Sequence, residues 1–83
     1  MHALEQANNR VVGTKQVLRS LEAGTLLRAY IAQDADAHLR EKILGHCQRN
    51  NVPVEFIGSM AEMGRLCGIE VGSAAAGIVR QSE

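Results

Sequence analysis

A short run near the start of the chain combines residue types that bind phosphates or nucleobases. Two β-branched residues lead into Gly13-Thr14, and Lys15, Gln16 and Arg19 follow within two turns of a potential helix. The first amide groups of a helix have no partner within it and carry the positive end of the helix dipole. Backbone donors, two cations and an amide at one helix start suit a phosphate or the edge of a base.

The residues after the glycine fit an amphipathic helix. At about 100° per residue, Val17, Leu18 and Leu21 fall on one side and the three polar residues fall on the other. Thr14 is the predicted N-cap. Any solvent-exposed helix face also carries polar residues, so the pattern alone leaves an ordinary surface helix as an alternative.

A second informative stretch is Ile69-Glu70-Val71, which lies between Gly68 and Gly72. If the last strand runs antiparallel to the first, this loop lies beside the first strand-to-helix turn. Ile69 and Val71 then either fold inward as core or form an exposed apolar patch beside the polar cluster. The second arrangement suits nucleobases better than phosphate alone.

The spacing of apolar residues predicts strands that alternate with helices. The predicted order is a short helix within 3–9, a strand at 10–12, a helix from 14, a strand at 27–32, a helix to about 50, a strand at 54–57, a helix ended by 68, a strand at 74–79 and a frayed end at 80–83. This alternation indicates a single-domain, three-layer α/β/α sandwich around a four-stranded mixed sheet, with the strand at 27–32 in its interior and covered on both faces.

Composition narrows the possible functions. The 83 residues have no net charge, which argues against broad neutralisation of a phosphate backbone, and the two aromatics, Tyr30 and Phe56, provide no stacking platform. No apolar run is long enough to span a membrane, and the N-terminus lacks a signal pattern, so we expect a soluble cytoplasmic protein.

The cysteines and histidines predict no metal site and no other cofactor. Cys47 and Cys67 are far apart in sequence and are interpreted as small buried residues. His46 is adjacent to Cys47 rather than spaced to share a metal ion with it.

Asp34 and Asp36 follow the strand at 27–32 and are the candidates for acid–base chemistry. No nucleophile with a matching base accompanies them. We therefore expect no enzyme, and we interpret both carboxylates as N-caps of the helix that follows them.

Four segments together resemble the kink-turn RNA-binding family of ribosomal proteins, the family of archaeal L7Ae, and most closely its small bacterial YbxF-type members. The likeness runs through nearly the whole chain, so residues 1–83 are identified as one domain of this type. The segments are Gly13-Thr14-Lys15-Gln16-x-x-Arg19, residues 31–36, residues 51–54, and Leu66-Cys67-Gly68-Ile69-Glu70-Val71 with the strand after it.

The resemblance implies binding to a kink-turn, a sharply bent RNA duplex with tandem sheared G·A pairs. We expect a monomer whose RNA partner belongs to a ribosome or another ribonucleoprotein. In the family, the helix after the Gly-Thr turn enters the widened major groove, and three polar residues read the G·A pairs. Those positions, beside Gly13 and Thr14, are Lys15, Gln16 and Arg19. The family's apolar loop packs on bases flipped out at the bend. This role falls on Ile69, Glu70 and Val71.

The chain departs from the archaeal pattern in two places. Lys15-Gln16 stands where archaeal members have Asn-Glu, and YbxF-type members share the Lys-Gln form. Gly72 stands where archaeal members have a proline, which predicts a less rigid loop. The main alternative function is a protein-interaction module that uses Ile69 and Val71 and has little specific RNA affinity.

Overall fold

A computed structural model describes residues 2–80 and contains eight elements. They are α1 (Ala3–Gln6), β1 (Arg10–Val12), α2 (Thr14–Ala23), β2 (Leu26–Ala32), α3 (Ala37–Arg49), β3 (Val54–Ile57), α4 (Met60–Cys67) and β4 (Ala75–Val79). The predicted order is confirmed, although α1 is shorter than predicted. Of the predicted frayed end, residues 81–83 lie outside the described residues. No helix in residues 2–80 is long and apolar enough to cross a membrane.

The four strands form one mixed sheet in the order β1-β4-β2-β3. β4 is antiparallel to both β1 and β2, whereas β2 and β3 are parallel. β1, β2 and β3 therefore run in the same direction. Their strand-to-helix turns and the loop that leads into β4 consequently lie at one edge of the sheet, which we call the loop edge.

Helices cover both faces of the sheet, which confirms the predicted three-layer sandwich. Tyr30 and Ala32 of β2 pack with α1 and α4, while Ala29 and Ile31 pack with α2 and α3. Alternate residues of a strand point to opposite faces, so β2 contributes to two separate cores. This double burial explains why the sequence from Ala29 to Ala32 is apolar.

Two strands contain features that the apolar pattern alone does not specify. The prediction that the strand at 27–32 is covered on both faces is wrong at its start, because Leu27 is 49% exposed and the pairing with β4 is irregular between Leu26 and Arg28. The small residues of β4 allow close packing, as predicted. A Cβ atom on Gly77 would lie 2.5 Å from Leu26 Cδ1 and 3.0 Å from the Arg28 carbonyl oxygen.

The two cysteines are buried, as predicted, and are free thiols that lie one in each core. Burial raises the pKa of both Cys47 and Cys67 above the ordinary value for a thiol. Residues 2–80 contain no group of three or more His, Cys, Asp or Glu side chains arranged to hold a metal ion.

Candidate nucleic-acid interface

The turn between β1 and α2 fixes the start of the helix. Gly13 is the N-cap residue, with φ 97° and ψ 152°, and Thr14 is the first helical residue, so the prediction of Thr14 as N-cap is wrong. The positive φ favours glycine and lets the helix begin one residue after it. The Gly13 amide donates to the Ala75 carbonyl oxygen at 2.8 Å, which ties this turn to the start of β4.

No side chain caps the first turn of α2, so its free amide groups face outward beside three exposed polar side chains. These side chains make no hydrogen bond or ion pair with any other residue in the range 2–80. They belong to Lys15, Gln16 and Arg19. The opposite side of the helix buries Val17 and Leu21 as predicted, while Leu18 is only partly buried. The polar side of α2 is therefore available to a partner.

The loop between α4 and β4 presents apolar side chains to solvent. Ile69 is 37% exposed and Val71 is 71% exposed, and Glu70 between them is exposed as well. Of the two arrangements that the sequence left open, the inward core is therefore wrong and the exposed apolar patch is confirmed.

Backbone contacts fix both ends of this loop to α4. The Ile69 amide donates to the Gly64 carbonyl oxygen at 3.0 Å, and the Ser73 amide donates to the Met60 carbonyl oxygen at 3.1 Å. Gly64 lies directly under the loop, because a Cβ atom there would overlap the Val71 carbonyl oxygen. The helix thus holds the loop in place although Gly72 had predicted a less rigid loop.

Arg10 supports the point where α4 leads into this loop. Its Nη2 donates to the Cys67 carbonyl oxygen at 2.9 Å. Its Nη1 donates to the carbonyl oxygens of Leu4, Glu5 and Ala7, of which the Ala7 bond is the shortest at 3.1 Å. One partly buried guanidinium therefore satisfies carbonyl groups at the ends of two helices, which normally lack partners within the helix.

Replacing Arg10 by methionine should lower the free energy of unfolding by about 1–3 kcal/mol, because the helix-end carbonyls lose a charged donor. Urea denaturation measures this change. Arg10→Lys should recover only part of the loss, since one ammonium group does not reproduce the guanidinium fork. Wild-type stability of Arg10→Met would show that these hydrogen bonds do not support the fold.

The sheet brings the two candidate regions to the same edge. β1 and β4 are antiparallel, with Val12 opposite Ala76, so the start of α2 and the Ile69–Val71 loop both lie at the loop edge. This is the arrangement that the sequence made conditional on strand direction. Within residues 2–80, no side-chain hydrogen bond joins the start of α2 directly to the Ile69–Val71 loop.

A groove between α2 and α3 extends this surface and was missed by the sequence analysis. Lys15 and Arg19 form part of the groove's α2 wall, and three residues form its α3 wall. Those three are Lys42, His46 and Asn50. Their spacing of four residues places them on one helix face and is the signal that could have revealed them.

The two aspartates at the loop edge act as helix caps. Asp36 Oδ2 accepts from the Leu39 amide at 3.3 Å, which confirms it as the N-cap of α3. Asp34 Oδ1 instead accepts from the Met60 amide at 2.8 Å, so its predicted role in α3 is wrong. It stabilises α4 because the turn after β2 lies beside the turn after β3 at the loop edge.

Comparisons with known proteins agree with this architecture. The RNA-binding protein YbxF of Geobacillus stearothermophilus is 41% identical over 75 residues, covering 90% of this chain and 92% of that protein. An RNA-binding protein of Geobacillus sp. (strain WCH70) is 43% identical with the same coverage. The solved structure of the Giardia lamblia 15.5kD RNA binding protein superposes with a TM-score of 0.83 at 26% identity, covering 95% of this chain and 67% of that one. The family model of the ribosomal protein L7Ae/L30e/S12e/Gadd45 family matches residues 1–83, and the chain therefore belongs to this family.

Proposed function

We propose that this protein binds RNA and that its target is a kink-turn, whose tandem sheared G·A pairs it recognises. The observation that carries the proposal is the placement of an uncapped, polar helix start and an exposed apolar loop on one edge of the sheet. Relatives that are named RNA-binding proteins and match nine tenths of the chain support it.

The start of α2 has the chemistry to read bases in an opened major groove. A-form RNA normally hides these base edges in a deep, narrow groove, but a sharp kink widens the groove enough for a helix end to enter. Arg19 can donate two hydrogen bonds to O6 and N7 of a guanine, and Gln16 can both donate and accept. Lys15 and the free amides of the first turn are donors for nearby phosphates.

The loop supplies the apolar part of the same surface. Ile69 and Val71 are held outward on a loop fixed to α4, so they can cover bases that leave the stack without first rearranging. Contacts of this kind require no large positive charge. The chain has no net charge, so a small local site fits it better than a broad positively charged surface would.

The proposed role is to stabilise the bent RNA within a cytoplasmic ribonucleoprotein, with the protein acting as a monomer and without a cofactor. Binding of the bent form shifts the equilibrium of the RNA between extended and kinked states. The size of this shift is set by the difference between the protein's affinities for the two states.

Fluorescence titration tests the proposal with two RNA duplexes of equal length. One carries a kink-turn, and in the other Watson–Crick pairs replace the tandem G·A pairs. We expect saturable binding to the first and much weaker binding to the second, with energy transfer between dyes on the two arms reporting the bend. Equal binding to both would contradict kink-turn recognition. Binding to neither would favour the protein-interaction module.

A further inference from the structure

The α2–α3 groove extends well beyond the residues that the proposed function uses. It has a volume of about 590 Å³ and includes Lys42, His46 and Asn50 on its α3 side. β1 and β2 run in the same direction, and α2 and α3 follow them on the same face of the sheet. Both helices therefore begin at the loop edge, and the groove leads away from it. Its lining residues on α3 run from Lys42 to Asn50, which is about 12 Å at 1.5 Å per helical residue.

The charges along the groove favour an anion. Lys15, Arg19 and Lys42 line it, whereas Glu22 is its single acidic residue. None of the three cations is paired with another side chain in residues 2–80. Unpaired cations that gather in one groove of a net-neutral chain mark a local site for negative charge rather than a general property of the surface.

The groove is continuous with the candidate RNA interface, because Lys15 and Arg19 belong to both. A nucleic acid that meets the start of α2 presents a phosphate at each nucleotide along the strand that leaves the contact. The negative charges along that strand are regularly spaced. They complement a long groove with cations on both walls. An isolated small anion would use only one part of the groove.

We propose that the α2–α3 groove holds the phosphodiester backbone of the RNA arm that leaves the kink, with Lys42 contacting a phosphate that α2 does not reach. His46 and Asn50 lie farther along the same path and line its far end. This inference rests on the proposed RNA-binding function and adds a second, sequence-independent contact region to it. The start of α2 reads bases, and the groove orients the arm.

Two kink-turn RNAs that share the kink but differ in arm length test this inference. Lys42→Gln should weaken binding of the long-armed RNA by roughly 3- to 10-fold and lower the slope of log affinity against log salt concentration by about 0.7–0.9, as expected for the loss of one phosphate contact. It should leave binding of the truncated RNA unchanged. Lys42→Arg should preserve wild-type binding, because it keeps the charge.

Arg28→Gln is the matched control. It removes the same charge on the opposite face of the sheet, where Arg28 Nη1 lies 3.6 Å from Glu55 Oε1. We expect little effect on either RNA. Lys42 is exposed and unpaired, so its variants should unfold at the wild-type temperature.

Three results would overturn or separate the two proposals. Wild-type affinity and salt slope of Lys42→Gln on the long-armed RNA would overturn the groove inference. An equal loss on both RNAs would also overturn it, because Lys42 would then act at the kink. Failure of the wild-type protein to bind either RNA would overturn the proposed function itself.

Discussion

Replacing Arg19 by alanine should weaken binding of the kink-turn RNA by about 1–3 kcal/mol, or roughly 5- to 150-fold, which is the scale of one bidentate contact to a base. The fold should remain intact, because Arg19 is exposed and makes no hydrogen bond or ion pair with another described residue. Equilibrium titration of the truncated kink-turn RNA measures the loss. The same variant should bind the Watson–Crick duplex about as weakly as the wild type does.

Arg28→Ala provides the control for this prediction, since it deletes the same side chain from an exposed position on the other face of the sheet. Gln16→Ala should also weaken binding, because the amide is predicted to read a neighbouring base. Wild-type affinity of both Arg19→Ala and Gln16→Ala would show that the start of α2 does not recognise the RNA, even if binding itself were confirmed.

Replacing Gly64 by alanine should displace the Ile69–Val71 loop. A Cβ atom at this position would overlap the Val71 carbonyl oxygen and lie 3.0 Å from its carbonyl carbon and 3.2 Å from Gly72 Cα. These neighbours are backbone atoms and cannot change rotamer. We expect a loss of about 1–3 kcal/mol in the free energy of unfolding despite the better helix propensity of alanine. Weaker kink-turn binding should accompany it, because the apolar patch moves.

Gly45→Ala tests whether these losses come from the loop rather than from replacing a helical glycine. At Gly45 a Cβ atom would meet only the flexible end of Arg49, at 3.6 Å. This variant should gain up to about 1 kcal/mol of stability and bind the truncated RNA like the wild type. If Gly64→Ala behaved in the same way, the contact between α4 and the loop would not control the loop.

Much of the fold follows from local patterns in the sequence. The polar and apolar sides of α2 are separated at helical spacing, Pro53 bars continuation of α3, and Ser59 caps α4 by accepting from the Glu62 amide at 3.0 Å. Each of these signals acts within a few residues. The order of elements and the polar cluster at the start of α2 were therefore predictable.

The remaining features depend on contacts between elements that are distant in sequence. Asp34 caps α4 rather than α3 because the sheet brings two turns together. Val71 is exposed because its backbone packs on Gly64. The α2–α3 groove exists only once two helices lie side by side. The four-residue spacing of Lys42, His46 and Asn50 marks one helix face, but no periodicity within a single segment shows which element lies beside that face.

On the proposed function, the start of α2 and the Ile69–Val71 loop form one RNA-binding surface. The most direct measurement is an NMR titration of ¹⁵N-labelled protein with the truncated kink-turn RNA, followed through the backbone amide signals. We expect the largest shifts in residues 13–19 and 69–71, little change at Arg28 and Glu55 on the opposite face, and no such pattern with the Watson–Crick duplex. Shifts concentrated at Arg28 and Glu55, or the same pattern with both RNAs, would contradict the claim.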